Sequence, residues 1–497
     1  MRSLVARPLV WAIVAASALV ARPAAAAPTY ALPDTVRVNV AGLGTVSAQI
    51  SSTGSYRATD AAGTVVYSGS APLVARRDVY RLRDGLAIPD RRTPARDPEE
   101  RANRLALIRE ARVAQAELGP YAITLVPFEV SALRGEDPLG EVVMRAAAIA
   151  PLHFTATDGL LEYAGRTYRG TLDLAKDDEG DMIVVNSVPT AAYLASVVGS
   201  EIPTSWGPEA LAAQAIAART YLATHLHRHD AYDLEGDTRD QQYDGLAGET
   251  TGTTRAVERT KGTIATYRGA PIEALYSANA GGVTEDSENV FASALPYLRS
   301  VPSPGDAVAA DSSWGASSWR WTKEWTAPEL SRYLRQRGLD VGDLDRIELT
   351  QLSPTGRVLA ARITGSTGTR TIGKDRSRYY FGLASALFTV AKHPGGETES
   401  VRDTDAKRIS ELEVLGATRV TTGYTIEWDE AHEIHRLRVA SYVYELPARF
   451  VFTGRGFGHG VGMSQWGMQG MALAGASAEQ ILEHYYTGIA LADTGGP

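Results

Sequence analysis

Apolar and polar residues alternate at period two from Val36 through Val38 to Val40, with Arg37 and Asn39 between them, and Gly, Ser and Thr punctuation follows through Gly69. That pattern predicts short antiparallel strands. From about Arg76 to Glu117, arginine and acidic residues interleave, the pattern of a solvated helix. The period changes again at Pro189, which suits a first helical turn, and Tyr193, Leu194 and Val197 carry a helix to Gly199 before Glu201-Ile202-Pro203 breaks it. A second helix starts near Pro208, with apolar Leu211, Ala215, Ala218 and Leu222 on one face. Gln214, Arg219 and Tyr221 fall away from that stripe, and Glu201 occupies the corner between the two helices, where a side chain enters a cleft without lying in the core.

From Thr238 the chain reads as loops and strands, including Gln241-Gln242-Tyr243 and the run Tyr276 to Glu285. A strand ending at the Gly281-Gly282 turn would present Ser277, Asn279 and Thr284 at its mouth. A Pro/Gly/Asp-rich segment from Val301 to Asp311 marks a boundary. Beyond it, Thr326-x-x-Glu329 caps a helix ending near Gly338, strands follow around Ile347 and from Val358 to Ile363, and Ser477-x-x-Gln480 caps a last helix. Trp314, Trp319, Trp321 and Trp325 cluster here, and Trp319 and Trp321 share a strand face, which predicts core packing over sugar stacking. The expected class is α+β: a strand-rich N-terminal region (27–150) with a charged helical insertion, a mixed core (151–310) whose helical corner carries Glu201, and a second α+β part (311–497).

Composition narrows the function. The chain has 497 residues, 44% of them hydrophobic, a formal net charge of −8 and no cysteine. Disulfides, thiol nucleophiles and cysteine metal ligands are excluded. Duplex nucleic acid is a poor partner for so acidic a chain. Arg2 and Arg7, the apolar run Leu9 to Val20 and the small residues Ala24 to Ala27 have the layout of a secretory leader, residues 1–26. The expectation is export to the periplasm or the cell wall and outside, with no transmembrane anchor once the leader is removed. His225-x-His227-x-His229 ends a helix and His432-x-x-His435 lacks the zincin glutamate, so neither a metal nor another cofactor is expected.

Glycine stands at every second position from Gly454 to Gly462, in the run Gly454-Arg455-Gly456-Phe457-Gly458-His459-Gly460-Val461-Gly462-Met463-Ser464-Gln465-Trp466. If extended, the run has one bare face, against which either a substrate strand or a packed backbone can lie. His459, Ser464 and Gln465 are polar groups suited to orienting a hydroxylated ligand.

The segments Ser200 to Tyr221, Asp240 to Tyr243, Tyr276 to Thr284 and Gly454 to Trp466 resemble, in order, the signature blocks of the stage II sporulation protein D (SpoIID/LytB) family. The resemblance runs from the Val36 strand to Tyr486. Members include lytic transglycosylases that cut peptidoglycan glycan strands, preferably strands stripped of stem peptides, and proteins that stimulate cell-wall amidases. Glu201 matches the family's catalytic acid/base. The resemblance thus implies peptidoglycan glycan strands as partner and an amidase as a second one. Some members hold zinc through Cys and His beside the Tyr276 block, but that block has neither here.

A lytic transglycosylase needs one carboxyl group, which protonates the leaving oxygen and then accepts a proton from the sugar's own C6 hydroxyl. Most glycosidases need two. Glu201 is the acid in the Ser200 to Ser205 corner, and Ile202 and Trp206 are candidates for the apolar cover that raises its pKa. Its bland alternative is capping of the next helix. Gln214 and Arg219 either orient the acid and hold lactyl or acetamido groups, or Arg219 forms a buried salt bridge. Gln241, Tyr243, Ser277, Asn279, Gly281, Thr284, Gly458, His459, Ser464 and Gln465 are the expected substrate contacts, with a polar loop of no direct role the alternative for Gln241, Tyr243, Ser277 and Asn279. For His459 a structural role is an equal alternative.

Overall fold

The computed structural model describes residues 30–42, 45, 47–70, 72–76, 80–83, 86–89, 128–131, 142–146, 152–176, 182–429, 432 and 434–494. The expected leader and most of the Arg76 to Glu117 stretch lie outside these residues. Within that stretch, Tyr80–Arg83 and Leu86–Pro89 pair as an antiparallel hairpin rather than a helix. Tyr80 and Leu82 alternate with Arg81 and Arg83, so local period two outweighs the charge interleaving.

The protein is α+β. Among the described residues the largest sheet has seven strands in the order Leu234–Glu235, Thr35–Asn39, Met182–Pro189, Thr171–Lys176, Leu152–Ala156, Tyr56–Thr59 and Val65–Gly69. Val36 and Val38 point into the core, fully buried. Met182 to Val185 form a continuous apolar run buried on both faces and lead straight into helix α1, Thr190–Glu201. Helix α1 buries Tyr193, Leu194, Val197 and Val198 and stops because Ile202, restricted by Pro203, is extended. Glu201 is thereby its last residue.

Helix α2, Pro208–His225, begins on Pro208 and is buried from Ala210 to Leu222 on every face. Gln214, Arg219 and Tyr221, which fall away from the apolar stripe, are buried as well. Helix α3 (Thr251–Arg259) and helices α5 (Gln465–Leu473) and α6 (Ala478–Tyr485) all pack on it, together with α1 and the Thr263–Tyr267 strand. Its alanines leave room for backbones to approach from all sides.

A second core gathers Leu330 and Leu334 of helix α4 (Ala327–Gln336), Val358, Ile363, Phe381, Phe450 and Phe452. Trp321 and Trp325 border it, one donating Nε1 to Gly456 O and the other to Phe381 O. Trp319 instead ends a short helix, and Trp314 is 58% exposed, so those two depart from the expected core packing. Val461, Met463, Met468, Ile481 and Tyr485, grouped by sequence with the second part, belong to the first core. The second unit is thus an excursion from which the chain returns to complete the first.

Candidate functional site

Four segments converge on Glu201: the end of α1, the turn at residues 240–243, the parallel bridge of Tyr276-Ser277 with Met463-Ser464, and the start of α5. The Gln242 backbone N–H donates to Glu201 Oε1 at 2.8 Å, and Gln465 Nε2 donates to Oε2 at 3.1 Å. The Tyr276 hydroxyl is the third donor. Its direction is set from behind, because Tyr193 donates to Gln241 Oε1 at 3.0 Å and Gln241 Nε2 donates to the Tyr276 oxygen at 3.0 Å. The Tyr276 proton is left for Glu201. Glu201 retains some surface open to solvent but is densely surrounded, and desolvation raises its pKa above the ordinary glutamate value against the lowering effect of these donors. Asp240 anchors the turn, accepting from Tyr221 OH at 2.8 Å and from Glu235 N at 2.8 Å.

The glycine-rich run is not an extended strand. Gly454 still lies within the Arg449–Arg455 strand, but Gly456, Gly458, Gly460 and Gly462 all have positive φ, from 73° to 105°. A Cβ at Gly458 would press on Ser277, one at Gly460 on the Arg357 guanidinium, and one at Gly462 on Leu275 O. The close approach is to protein, which corrects the substrate-strand alternative. Left-handed φ at alternate residues curls the backbone around the Leu275 to Gly281 segment.

The expected contact residues divide. Glu201, Gln241 and Gln465 are joined in one hydrogen-bonded chain, with Gln241 fully buried behind Tyr276 and so oriented away from any ligand. Tyr243 is 2% exposed, packs on Tyr168 and Tyr193 and donates to Asn186 Oδ1, which makes it a core residue. Arg219 is enclosed, and it donates to Val257 O and Thr263 O and to Thr260 Oγ1 around the C-terminal end of α3. Among the described residues it makes no salt bridge: the carbonyls at the helix end take its charge, and burial lowers its pKa to about 10. Gln214 is also enclosed, and neither of its amide atoms has a partner among the described residues.

Asn279, Gly281, Thr284 and Ser464 build the support. Asn279 accepts from Gly281 N and donates to Asp306 O, while Thr284 Oγ1 accepts from Val301 N at 2.8 Å. Ser464 caps α5 and hydrogen-bonds Asp306. Ser277 is buried, its hydroxyl unpartnered among the described residues. His459 Nδ1 accepts from Val461 N at 3.0 Å, so its other nitrogen carries the proton that meets the Tyr276 carbonyl. Burial, reinforced by Arg378 and Arg357, lowers its pKa to about 4, so it is a neutral brace for the Tyr276 backbone. Direct contact with a ligand is therefore closed to Gln214, Arg219, Tyr243, Asn279 and Thr284 by burial.

Tyr276, Gln242 and Asp306 were not among the expected site residues. Tyr276 and Gln242 lie inside the quoted blocks, but nothing in their spacing says which turn hydroxyl or backbone N–H meets an acid 41 or more residues earlier. Asp306 sits in the segment read as a boundary, whose 3₁₀ turns (Pro304–Asp311) pack on α5. Among the described residues no set of three His, Cys, Asp or Glu is placed to hold a metal, and no helix is long and apolar enough to cross a membrane.

Residues 178–267, which span α1, α2 and the turn at 240–243, match the family described as Stage II sporulation protein (SpoIID). Residues 309–403 match a domain of unknown function, DUF8618, which falls in the second unit. The chain is 28% identical to stage II sporulation protein D of Bacillus subtilis (strain 168) over 327 residues, 62% of this chain and 76% of that protein. The same protein of Bacillus amyloliquefaciens gives the same identity and coverage. It is also 28% identical over 317 residues to the amidase enhancer of Bacillus subtilis (strain 168), 60% of this chain and 40% of that protein. The helical corner and the turn at 240–243 thus lie in the segment that matches the stage II sporulation protein family, and the chain is similar over much of its length to stage II sporulation protein D.

Proposed function

We propose that this protein is an exported lytic transglycosylase that cleaves denuded peptidoglycan strands and leaves 1,6-anhydro-N-acetylmuramic ends. The carrying observation is the carboxyl group of Glu201, held by three donors in a partly open corner and raised in pKa by burial. In this reading the protonated acid gives its proton to the glycosidic oxygen. The resulting carboxylate, stabilised by Gln242 N–H, Gln465 and Tyr276, then accepts the C6 hydroxyl proton as the ring closes. No water enters the bond cleavage, so no second carboxylate is required. Incubation of the mature protein with denuded strands should yield 1,6-anhydro ends by mass spectrometry; hydrolytic reducing ends alone would refute the reaction type.

The likeness to the amidase enhancer favours a second reading, a glycan-binding module that stimulates a cell-wall amidase. An increase in amidase rate with no cleavage by the protein itself is the result that selects it.

Tyr276 gives a separate test of the proton chemistry. Its hydroxyl favours the charged form of Glu201, so Tyr276→Phe should raise the Glu201 pKa further. Because the protonated acid starts the reaction, the fall in kcat/KM with rising pH should move to higher pH in the variant. A limb that stays in place or moves to lower pH contradicts the assigned hydrogen bond.

A further inference from the structure

Away from Glu201, a groove of about 650 Å³ runs along the outward face of a three-stranded antiparallel sheet formed by Arg320–Thr326, Arg449–Arg455 and Phe388–His393, with Arg449–Arg455 in the middle. The strand register decides what that face presents. Arg320 lies opposite Arg455, and on the next rung of the same face Thr322 and Thr389 flank Thr453. Both arginines are exposed.

Like charges directly opposed in an antiparallel pair destabilise it, and acids nearby normally relieve them. Here nothing does. The groove lining contains no Asp or Glu, and among the described residues neither guanidinium has an ion pair or hydrogen bond to a carboxylate. Glu324, two positions from Thr322, is taken by Arg449 at 3.1 Å. Arg320 instead rests 5.7 Å from the Trp319 ring centroid. Two unrelieved arginines on one rung are notable in a chain whose net charge is −8.

We propose that this face is a second glycan site, distinct from the Glu201 corner, that binds a carboxylate-bearing glycan strand. Two planar guanidinium forks match carboxylates in geometry as well as charge. The threonine hydroxyls beside them donate to and accept from sugar hydroxyls. An open sheet face, unlike a closed cavity, accommodates a polymer that continues past both ends. Arg455 also leads directly into the curled Gly456 to Gly462 segment, and Gly281 packs against the Arg455 backbone, so the groove abuts the turn that supports the Glu201 site. The choice of lactyl carboxylates on denuded strands as ligand rests on the cell-wall reading; the demand for an anion does not.

The test uses the mature chain carrying Glu201→Gln, so that strands stay intact and binding is read without cleavage. Affinities are compared with and without the added pair Arg320→Gln and Arg455→Gln, for denuded strands, for the same strands with carboxylates converted to amides, and for poly(glycerol phosphate). Loss of two charge-assisted contacts should weaken binding of carboxylated strands at least about tenfold. Amidated strands should bind the parent as weakly as carboxylated strands bind the arginine variant. Equal binding by parent and variant, or no effect of amidation, overturns the proposal. An arginine-dependent preference for poly(glycerol phosphate) over denuded strands also overturns it, in favour of a phosphate polymer. Cleavage by the protein with Glu201 intact is scored separately, so failure of the transglycosylase reading leaves the binding result interpretable.

Discussion

Glu201→Gln is expected to lower the rate of 1,6-anhydro end formation by about 10²- to 10⁴-fold, the usual contribution of a general acid/base, while binding of denuded strands persists. The amide keeps the shape and one acceptor but has no acidic proton for the leaving oxygen. Its nitrogen also meets a site built from donors, since Gln242 N–H, Gln465 Nε2 and Tyr276 OH all point at the carboxylate. One of these donors loses its acceptor, at a cost of about 1–3 kcal/mol in stability, and a melting curve separates that from the rate effect. The wild-type rate has its own signature. Burial raises the Glu201 pKa, so the protonated, active form survives to higher pH than for an ordinary glutamate, and the rate declines as pH rises through that shifted value. Anhydro ends formed by the glutamine variant at the wild-type rate would end the catalytic assignment. If neither protein cleaves, both bind, and a partner amidase is accelerated equally by both, the non-catalytic reading takes its place.

The parts of this site that could be read from sequence are those fixed by local backbone chemistry. Pro203 stops α1 and leaves Glu201 at a corner, Pro208 starts α2, and the capping boxes at Thr326 and Ser477 start their helices as expected. What could not be read depends on partners distant in the chain. An alanine-rich helix with one Leu stripe looks amphipathic, and that Gln214 and Arg219 are enclosed follows from α3, α5 and α6 closing over the other faces. The glycine spacing suits either a bare-faced strand or a backbone that is left-handed at alternate residues. Only the segment around Leu275 to Gly281, fitted inside the curl, decides between them. The exposed Trp314 belongs to the same class: its ring lies 4.8 Å from that of Trp466, which is itself 4.9 Å from Trp206. That aromatic ladder joins three separate stretches of chain.

Arg357→Met is expected to destabilise the protein by about 3–5 kcal/mol, the cost of orphaning the partner of a buried ion pair. Arg357 is 2% exposed and Glu285 1%, with Arg357 Nε 3.8 Å from the Glu285 carboxylate. Arg357 Nη2 donates to Ala280 O at 2.6 Å and Val283 O at 3.0 Å, so one guanidinium from the second unit holds two carbonyls of the turn beyond Tyr276. Glu285 accepts in turn from Ser353 and Thr355 of the Arg357 loop and from Asn289. Gly460, at φ 76°, passes close beneath the guanidinium, where any side chain would collide with it. Loss of Arg357 therefore leaves a buried carboxylate without its cation, two carbonyls without a donor, and the curled segment without its cover. Equilibrium denaturation should show the loss, and cleavage should fall with it because Tyr276 and Gln465 flank the released segments. Adding Glu285→Gln to Arg357→Met should recover part of the stability, since no charge is then stranded, whereas a purely packing role for the arginine predicts no recovery. An Arg357→Met protein within about 0.5 kcal/mol of the wild type would show that the two units do not depend on this pair.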